Sequence, residues 1–357
     1  MKFGIFYEIQ VPKPWHESKE FDIYQQVLEQ VQLADEVGFD TFWTVEHHFL
    51  SEFSHCSAPE VLYGAISQRT KRIRIGHGVV LLPFPYNHPI RVAERIAVLD
   101  LVSNGRVEFG TGRSATEAEL GGFGIPPEET RARWEEALHM IPKMWLNETF
   151  EWEGKYFKVP PRQVIPKPRQ KPHPPIWMAC TSPESHELAG RKGLGLLSFT
   201  LMVDLPELAN RITGYRNAIK QAKPAGAFVN EQAAVFTQGY CGESNEEARR
   251  TAGEPIEWTL KRALEMAAPF AKAASGDYAY WKKQFSGVDP DKVTFDRVNN
   301  RGLVIVGDPQ ECIRKLKGYQ EAGADHILLM LQMGNIPHEK VLGSIERFAK
   351  YVMPQFK

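Results

Sequence analysis

Three short polar segments of this 357-residue chain carry the side chains best suited to chemistry. Glu46-His47-His48-Phe49 follows the apolar run 41–45, Gly112-Arg113-Ser114 follows the run 106–111, and Thr181-Ser182-Pro183-Glu184-Ser185 follows the run 176–179. An imidazole such as His47 titrates near neutrality, so it can donate a hydrogen bond or act as a general base. Thr181, Ser182 and Ser185 stand where a helix beginning at Pro183 leaves its first amides unpaired, and hydroxyls beside such amides form an anion site. Each group also has a plainer reading. His47 fits a helix cap or a surface position, Ser182 an ordinary N-cap, and Arg113 a surface salt bridge. His48 points away from His47 in an extended chain. It reads as structural, as does Glu46, which is placed to orient either ring.

For these segments to meet, the strands before them must lie side by side. Short β-branched or apolar runs predict strands at 2–7, 41–45, 73–82, 106–111, 176–179, 195–199, 232–240 and 327–331. Amphipathic runs predict helices between them. In the first, over 22–37, Ile23, Val27, Val31 and Ala34 recur three or four apart, and Gly38 supplies the stop. Others are predicted at 59–69, 89–102, 128–145, 183–192, 206–222, 245–274 and 338–352, and Asp308-Pro309-Gln310-Glu311 reads as a capping box. Eight strand–helix repeats point to parallel strands with crossover helices, closed as a (β/α)8 TIM barrel. Barrel chemistry sits where strands end, so the three polar loops would converge on one face.

Such a barrel needs ~250 residues. The whole chain, 1–357, therefore reads as one domain with insertions near 114–126, 150–175 and 275–301. Gly121-Gly122-Phe123-Gly124 lacks the strand–turn–helix context of a dinucleotide fingerprint and reads as a flexible loop. Residues 275–301, polar and turn-rich with Gly276, Gly287 and Pro290, read as a mobile lid whose Tyr278, Tyr280 and Trp281 fold onto bound molecules. The alternative is a fixed excursion packed on the barrel.

Lys plus Arg number 43 against 44 Asp plus Glu, a balance that gives no electrostatic reason to expect nucleic acid or an anionic membrane. Cys56, Cys180, Cys241 and Cys312 lie far apart and indicate neither a zinc site nor a disulfide framework. The first residues lack the apolar core of a signal peptide, and no stretch approaches a membrane span, so a cytoplasmic setting is expected.

Several motifs carry a resemblance. They are MKFGIFY at the start, GFDTFWTVEHHF (38–49), IGHGVVLLPFPYNHPIRVAE (75–94), LDLVSNGRVEFGTGR (99–113), VGDPQECI (306–313) and MPQF at the end. In this order and spacing they resemble the luciferase-like flavin-dependent monooxygenases over nearly the whole chain. The resemblance implies that His47 lies beside the reactive edge of a flavin, where it hydrogen-bonds a flavin peroxide or acts as base. It assigns Arg113 and the loop of Thr181, Ser182 and Ser185 to the FMN phosphate, where a guanidinium suits a dianion. It implies a non-proline cis peptide at Gly78-Val79 against the flavin ring, the alternative being a plain strand glycine beside a bulge. Phe199, ending the sixth predicted strand, walls the flavin or substrate pocket or belongs to the core. The reactive cysteine that luciferase itself carries is replaced by Gly112, which puts light emission in doubt but not flavin binding.

The activity implied is a two-component monooxygenase that takes reduced FMN from a separate reductase and uses O2 on a small organic substrate. A homodimer through the helices after the second and third strands is implied with it. Two other readings stay open. One is deazaflavin-dependent hydride transfer on the same barrel, with His47 or Glu46 moving the proton. The other is a non-catalytic flavin-binding partner subunit, against which the presence of His47, Arg113 and the hydroxyl loop argues.

Overall fold

The computed structural model describes residues 1–114, 116–199, 203–273, 276–285 and 288–356. Its strands, in chain order, are β1 (Lys2–Tyr7), β2 (Thr41–Thr44), β3 (Arg74–His77), β4 (Val80–Leu81), β5 (Val107–Gly112) and β6 (Phe150–Glu153). They continue with β7 (Lys158–Arg162), β8 (Ile176–Cys180), β9 (Gly195–Phe199), β10 (Ala233–Cys241), β11 (Ile305–Gly307) and β12 (His326–Met330). The helices that matter below are α1 (Lys19–Val37), α2 (Pro59–Arg69), α3 (Pro89–Val102), α4 (Glu117–Gly122) and α5 (Thr130–Leu146). After them come α6 (Pro183–Arg191), α7 (Leu205–Ile219), α8 (Asn245–Ala273) and α9 (Ala279–Phe285).

Eight parallel strands close a ring in the order β1-β2-β3-β5-β8-β9-β10-β12 and back to β1. This is the (β/α)8 barrel that eight strand–helix repeats call for. The period-two alternation of strands stacks their inward side chains in layers. At the bottom Trp43 meets Trp177 edge to face at 5.5 Å, and Trp177 meets His326 at 5.6 Å. Glycine makes room there: a Cβ on Gly76 would fall 2.2 Å from the Trp43 ring. Above this, Phe6, Phe199 and Phe236 form an aromatic layer with ring centroids 4.7 to 6.1 Å apart. The next inward position on β1 after Phe6 is Glu8. On β2 the same count runs Trp43, Val45, His47, and on β10 it runs Phe236, Gln238. Alternation alone thus lifts polar side chains to the C-terminal mouth.

Two expectations need amendment, and two of the expected insertions gain detail. The predicted strand 73–82 is two pieces, β3 and β4, separated by a cis peptide between Gly78 and Val79. Gly78 N donates to Thr44 O at 2.7 Å, while Val80 and Leu81 move onto β5 opposite Thr111 and Gly112. Residues 121–124 are not a free loop. They close α4, whose Thr116 N-cap accepts from Glu119 N at 3.3 Å, and Leu120 and Ile125 are buried with Tyr278. The insertion near 150–175 begins as the antiparallel hairpin β6–β7. The excursion 275–301 holds short helices, among them α9 and Phe295–Asn300. Ser275, Ser286 and Gly287 in it lie outside the described residues, as do Ala115 of the 114–126 insertion and Ala274, the predicted end of α8. Among the described residues no helix is long and apolar enough to cross a membrane.

Candidate functional site

One chamber opens at the C-terminal mouth of the barrel, enclosing about 250 Å³. His47, Gly78, Val79, Arg113, Thr181, Ser182, Ser185 and Phe199 all line it, so the structure brings the candidate site residues to one chamber. They enter from successive strands around the ring: His47 after β2, Gly78-Val79 after β3, Arg113 after β5, the hydroxyl loop after β8 and Phe199 at the end of β9.

His47 is gripped by two carboxylates that sequence reasoning missed. Its Nδ1 lies 2.8 Å from Glu119 Oε1, and its Nε2 lies 3.6 Å from Glu8 Oε2. Glu119 is wholly buried, while the His47 side chain is 23% exposed towards the chamber. The Glu119 carboxylate accepts three further hydrogen bonds, from His48 N at 3.0 Å, Ser114 Oγ at 2.6 Å and Thr116 Oγ1 at 2.7 Å. Burial alone would push the His47 imidazole down. The Glu119 carboxylate against it, with Glu8 and Glu46 behind, instead holds its pKa up at about 9. Burial likewise opposes charge on Glu119, but His47 and the two hydroxyls hold its carboxyl at about 2. Glu8 goes the other way. Burial raises it to about 7 against the pull of His47, and its Oε2 has no hydrogen-bond partner among the described residues. These shifts hold the proton on His47 at neutral pH and leave Glu8 close to the midpoint of its titration.

Glu46 is structural, but it does not orient His47. Its carboxylate accepts from Leu81 N at 2.8 Å and Asn87 Nδ2 at 2.7 Å, fixing the chain beyond the cis peptide. It faces His48 Nε2 at 3.4 Å, and the His48 ring stacks on Tyr86. Gly112 is held to glycine by packing: a Cβ there would fall 2.3 Å from Val79 Cγ2, so no cysteine fits without moving Val79.

At the opposite end, Arg113 Nη1 donates to Thr130 Oγ1 at 3.3 Å and its guanidinium sits 4.7 Å over the Tyr278 ring. Arg131, from the first turn of α5, lines the same wall. The turn into α6 is a capping box. Ser182 Oγ accepts from Ser185 N at 3.1 Å, and Ser185 Oγ accepts from Ser182 N at 3.0 Å and Thr181 N at 3.2 Å. Ordinary capping is thus present, and it faces the chamber. The Thr181 hydroxyl makes no hydrogen bond among the described residues. His186 braces the turn from behind: Nδ1 donates to Ser182 O at 2.7 Å and Nε2 accepts from Ser198 Oγ at 2.8 Å. Burial lowers its pKa to about 4, which keeps it neutral in this bridge. Arg211 of α7 donates to Thr181 O at 2.7 Å.

The missed residues differ in legibility. Glu8 is two positions beyond Phe6, so the alternation of β1 was a signal for it. Glu119 lies 72 positions from His47, in a segment whose glycines pointed to a loop, and gave no local sign.

The chain is similar from end to end to known oxidoreductases. The oxygenase component of the flavin-dependent trigonelline monooxygenase of Acinetobacter baylyi is 27% identical over 369 residues, covering 100% of this chain and 96% of that protein. The F420-dependent glucose-6-phosphate dehydrogenase of Amycolatopsis mediterranei is 26% identical, covering 85% of this chain and 87% of that protein. Among solved structures, a monooxygenase from Streptomyces bottropensis superposes with a TM-score of 0.83 at 28% identity, covering all of both chains. The family model of the luciferase-like monooxygenases matches residues 1–326, and the chain belongs to that family.

Proposed function

We propose that this chain is the oxygenase component of a two-component monooxygenase, using reduced FMN from a separate reductase and O2 to oxidise a small organic substrate. The observation that carries this reading is one chamber with Arg113, Arg131 and the hydroxyls of the α6 turn at one end and the His47–Glu119–Glu8 cluster at the other. The residues present fit FMN. Arg113, the Thr181 hydroxyl and the start of α6 offer donors for a phosphate, and the orphaned Glu8 oxygen marks a polar position awaiting a partner.

When bound, reduced FMN would supply the electrons that activate oxygen. Arg113 and the Thr181–Ser185 turn would hold its phosphate, with Gly78-Val79 lining the wall between the two ends. His47, fixed through Nδ1 by Glu119, presents Nε2–H as a charged donor at neutral pH. Glu8, near the midpoint of its titration at pH 7, can take up or release a proton beside it. Tyr278 and Trp281 line the mouth and exclude water.

The test uses the purified chain, a flavin reductase, NADH and FMN under labelled oxygen. The reading expects one labelled atom in the product, and no oxygen uptake beyond the reductase's own would sink it. The deazaflavin relative supports a second reading, in which Glu8 exchanges the proton that accompanies hydride transfer. Substrate oxidation by the deazaflavin without oxygen would favour it over the first. The proposal also includes a homodimer through α2 and α3, whose outer faces expose Val61, Val98, Leu101 and Val102. A monomeric mass by light scattering would exclude it.

A further inference from the structure

The side of the chamber away from Arg113 and the α6 turn has a different chemistry. Phe199, Phe236, Gln238 and Met330 contribute to it from the barrel, and α8 lays one face along it. Leu260, Ala263, Met266 and Ala267 recur three or four apart, so they form a single stripe on that helix. Polar atoms nearby are already engaged elsewhere. Thr259 Oγ1 lies 3.0 Å from Gln10 Oε1 and 2.8 Å from Pro255 O, and Tyr278 Oη donates to Ser114 O at 3.0 Å. Tyr280 Oη meets Gln284 Oε1 at 2.8 Å and accepts from Arg211. Among the described residues of β9, β10, β12, α8 and α9 that line the chamber, none is charged. The Gln238 amide makes no side-chain hydrogen bond among the described residues, so it is the group left to meet a polar atom.

We propose that this side takes the organic substrate, an inference that rests on the monooxygenase reading above, and that the substrate is an uncharged, mainly hydrocarbon molecule whose polar group meets Gln238. A carboxylate or ammonium placed against this surface would leave water for carbon, because the charged groups of the chamber, Glu8, Glu46, His47, Arg113 and Arg131, all stand on its other elements, and that exchange is unfavourable. The same carbon surface gains by covering an apolar ring or chain. Ala263 and Ala267 set the room, because any larger side chain on that stripe takes volume from the occupant.

Two probes of one skeleton and different charge test this: 2-decalone and decalin-2-carboxylate. Each is titrated calorimetrically into the whole protein, with and without FMN. The ketone is expected to bind at least about a hundredfold more tightly than the carboxylate. Ala263→Phe should weaken the ketone by about tenfold or more and leave FMN affinity unchanged. Met266→Arg should bring the carboxylate to within about tenfold of the ketone, and it reads independently should Ala263→Phe fail to fold. Equal or tighter binding of the carboxylate to the unaltered protein overturns the proposal, as does binding of neither probe. Ketone binding with no labelled oxygen in any product supports the substrate class while overturning the monooxygenase reading, so the two failures are separable.

Discussion

The two sides of the chamber were built by different means. From β1 round to β8 the wall carries the charged and hydroxyl side chains, from residues just past strand ends such as Glu8, His47, Arg113 and Thr181, set among apolar ones such as Val45, Leu81 and Met178. From β9 round to β12, with α8 and α9, its described residues carry no charge, and the polar groups among the carbon are the Gln238 amide, the Thr259 and Tyr280 hydroxyls and the Trp281 indole. The polar side follows from the barrel itself, since alternation delivers its side chains to the mouth whatever the loops do. The other side depends on two helices beyond the barrel strands, and its residues are those any buried helix face would carry. The first side fits a cofactor and its protons; the second fits what is specific to this chain.

The sharpest way to break that division is at His47. His47→Ala should lower product formation by ~10²–10⁴-fold, the range for a positioned proton donor. FMN affinity should stay within a few-fold, because the phosphate end is untouched. Reduced flavin and oxygen should then yield hydrogen peroxide in place of product. Wild-type turnover in this variant would remove His47 from the chemistry.

Glu119 tests whether the polar side is also structural. Glu119→Ala leaves His47, His48 N, Ser114 and Thr116 short of a buried acceptor. Removing one partner of such a network costs about 3–5 kcal/mol, so urea unfolding should shift by that order. Loss of activity without loss of stability would show that Glu119 acts on His47 alone.

Arg113 separates the phosphate end from the ring. Arg113→Ala should weaken FMN by roughly tenfold to a hundredfold, and riboflavin hardly at all, because one charge-assisted contact to phosphate is lost. Equal losses for both flavins would show that Arg113 does not read the phosphate.

The smallest effect belongs to Glu8. Folding raises its pKa from 4.5 to about 7, so the folded chain holds this proton more tightly than the unfolded chain does. Stability from Glu8 therefore falls as pH rises from 4.5 to about 7 and stays low above that. Glu8→Gln should stabilise the protein above pH 7 by about 1–3 kcal/mol and have little effect at pH 4. A variant equally or less stable at pH 8 would contradict the orphaned acid.

These contrasts also explain what could be read from the sequence. The runs 2–7, 59–69, 89–102 and 195–199 end where predicted because Gly, Pro or a polar residue punctuates each. The polar loops could be placed because barrel topology sends every strand end to one face. Glu119 could not. Its bond to His47 depends on α4 folding back over the mouth, a tertiary event with no period in the sequence. The substrate side was equally silent: Leu260, Ala263 and Ala267 look the same whether a helix faces a core or a cavity. The short helices of the segment 275–301 could not be read for a related reason. Its polar, turn-rich composition hid short helices held by tertiary bonds, such as Tyr278 Oη to Ser114 O at 3.0 Å.

The protonation of His47 joins both carboxylates to the proposed chemistry, and it can be measured alone. Histidine-labelled protein, followed by NMR from pH 5 to 11 with His47→Gln to assign the resonance, gives its titration directly. Folding raises this pKa from 6.5 to about 9. The stabilisation it gives is thus complete below 6.5 and lost as pH rises through about 9. The account predicts a midpoint near 9 that falls in Glu119→Gln. A midpoint at or below 6.5, unchanged by that substitution, would contradict it.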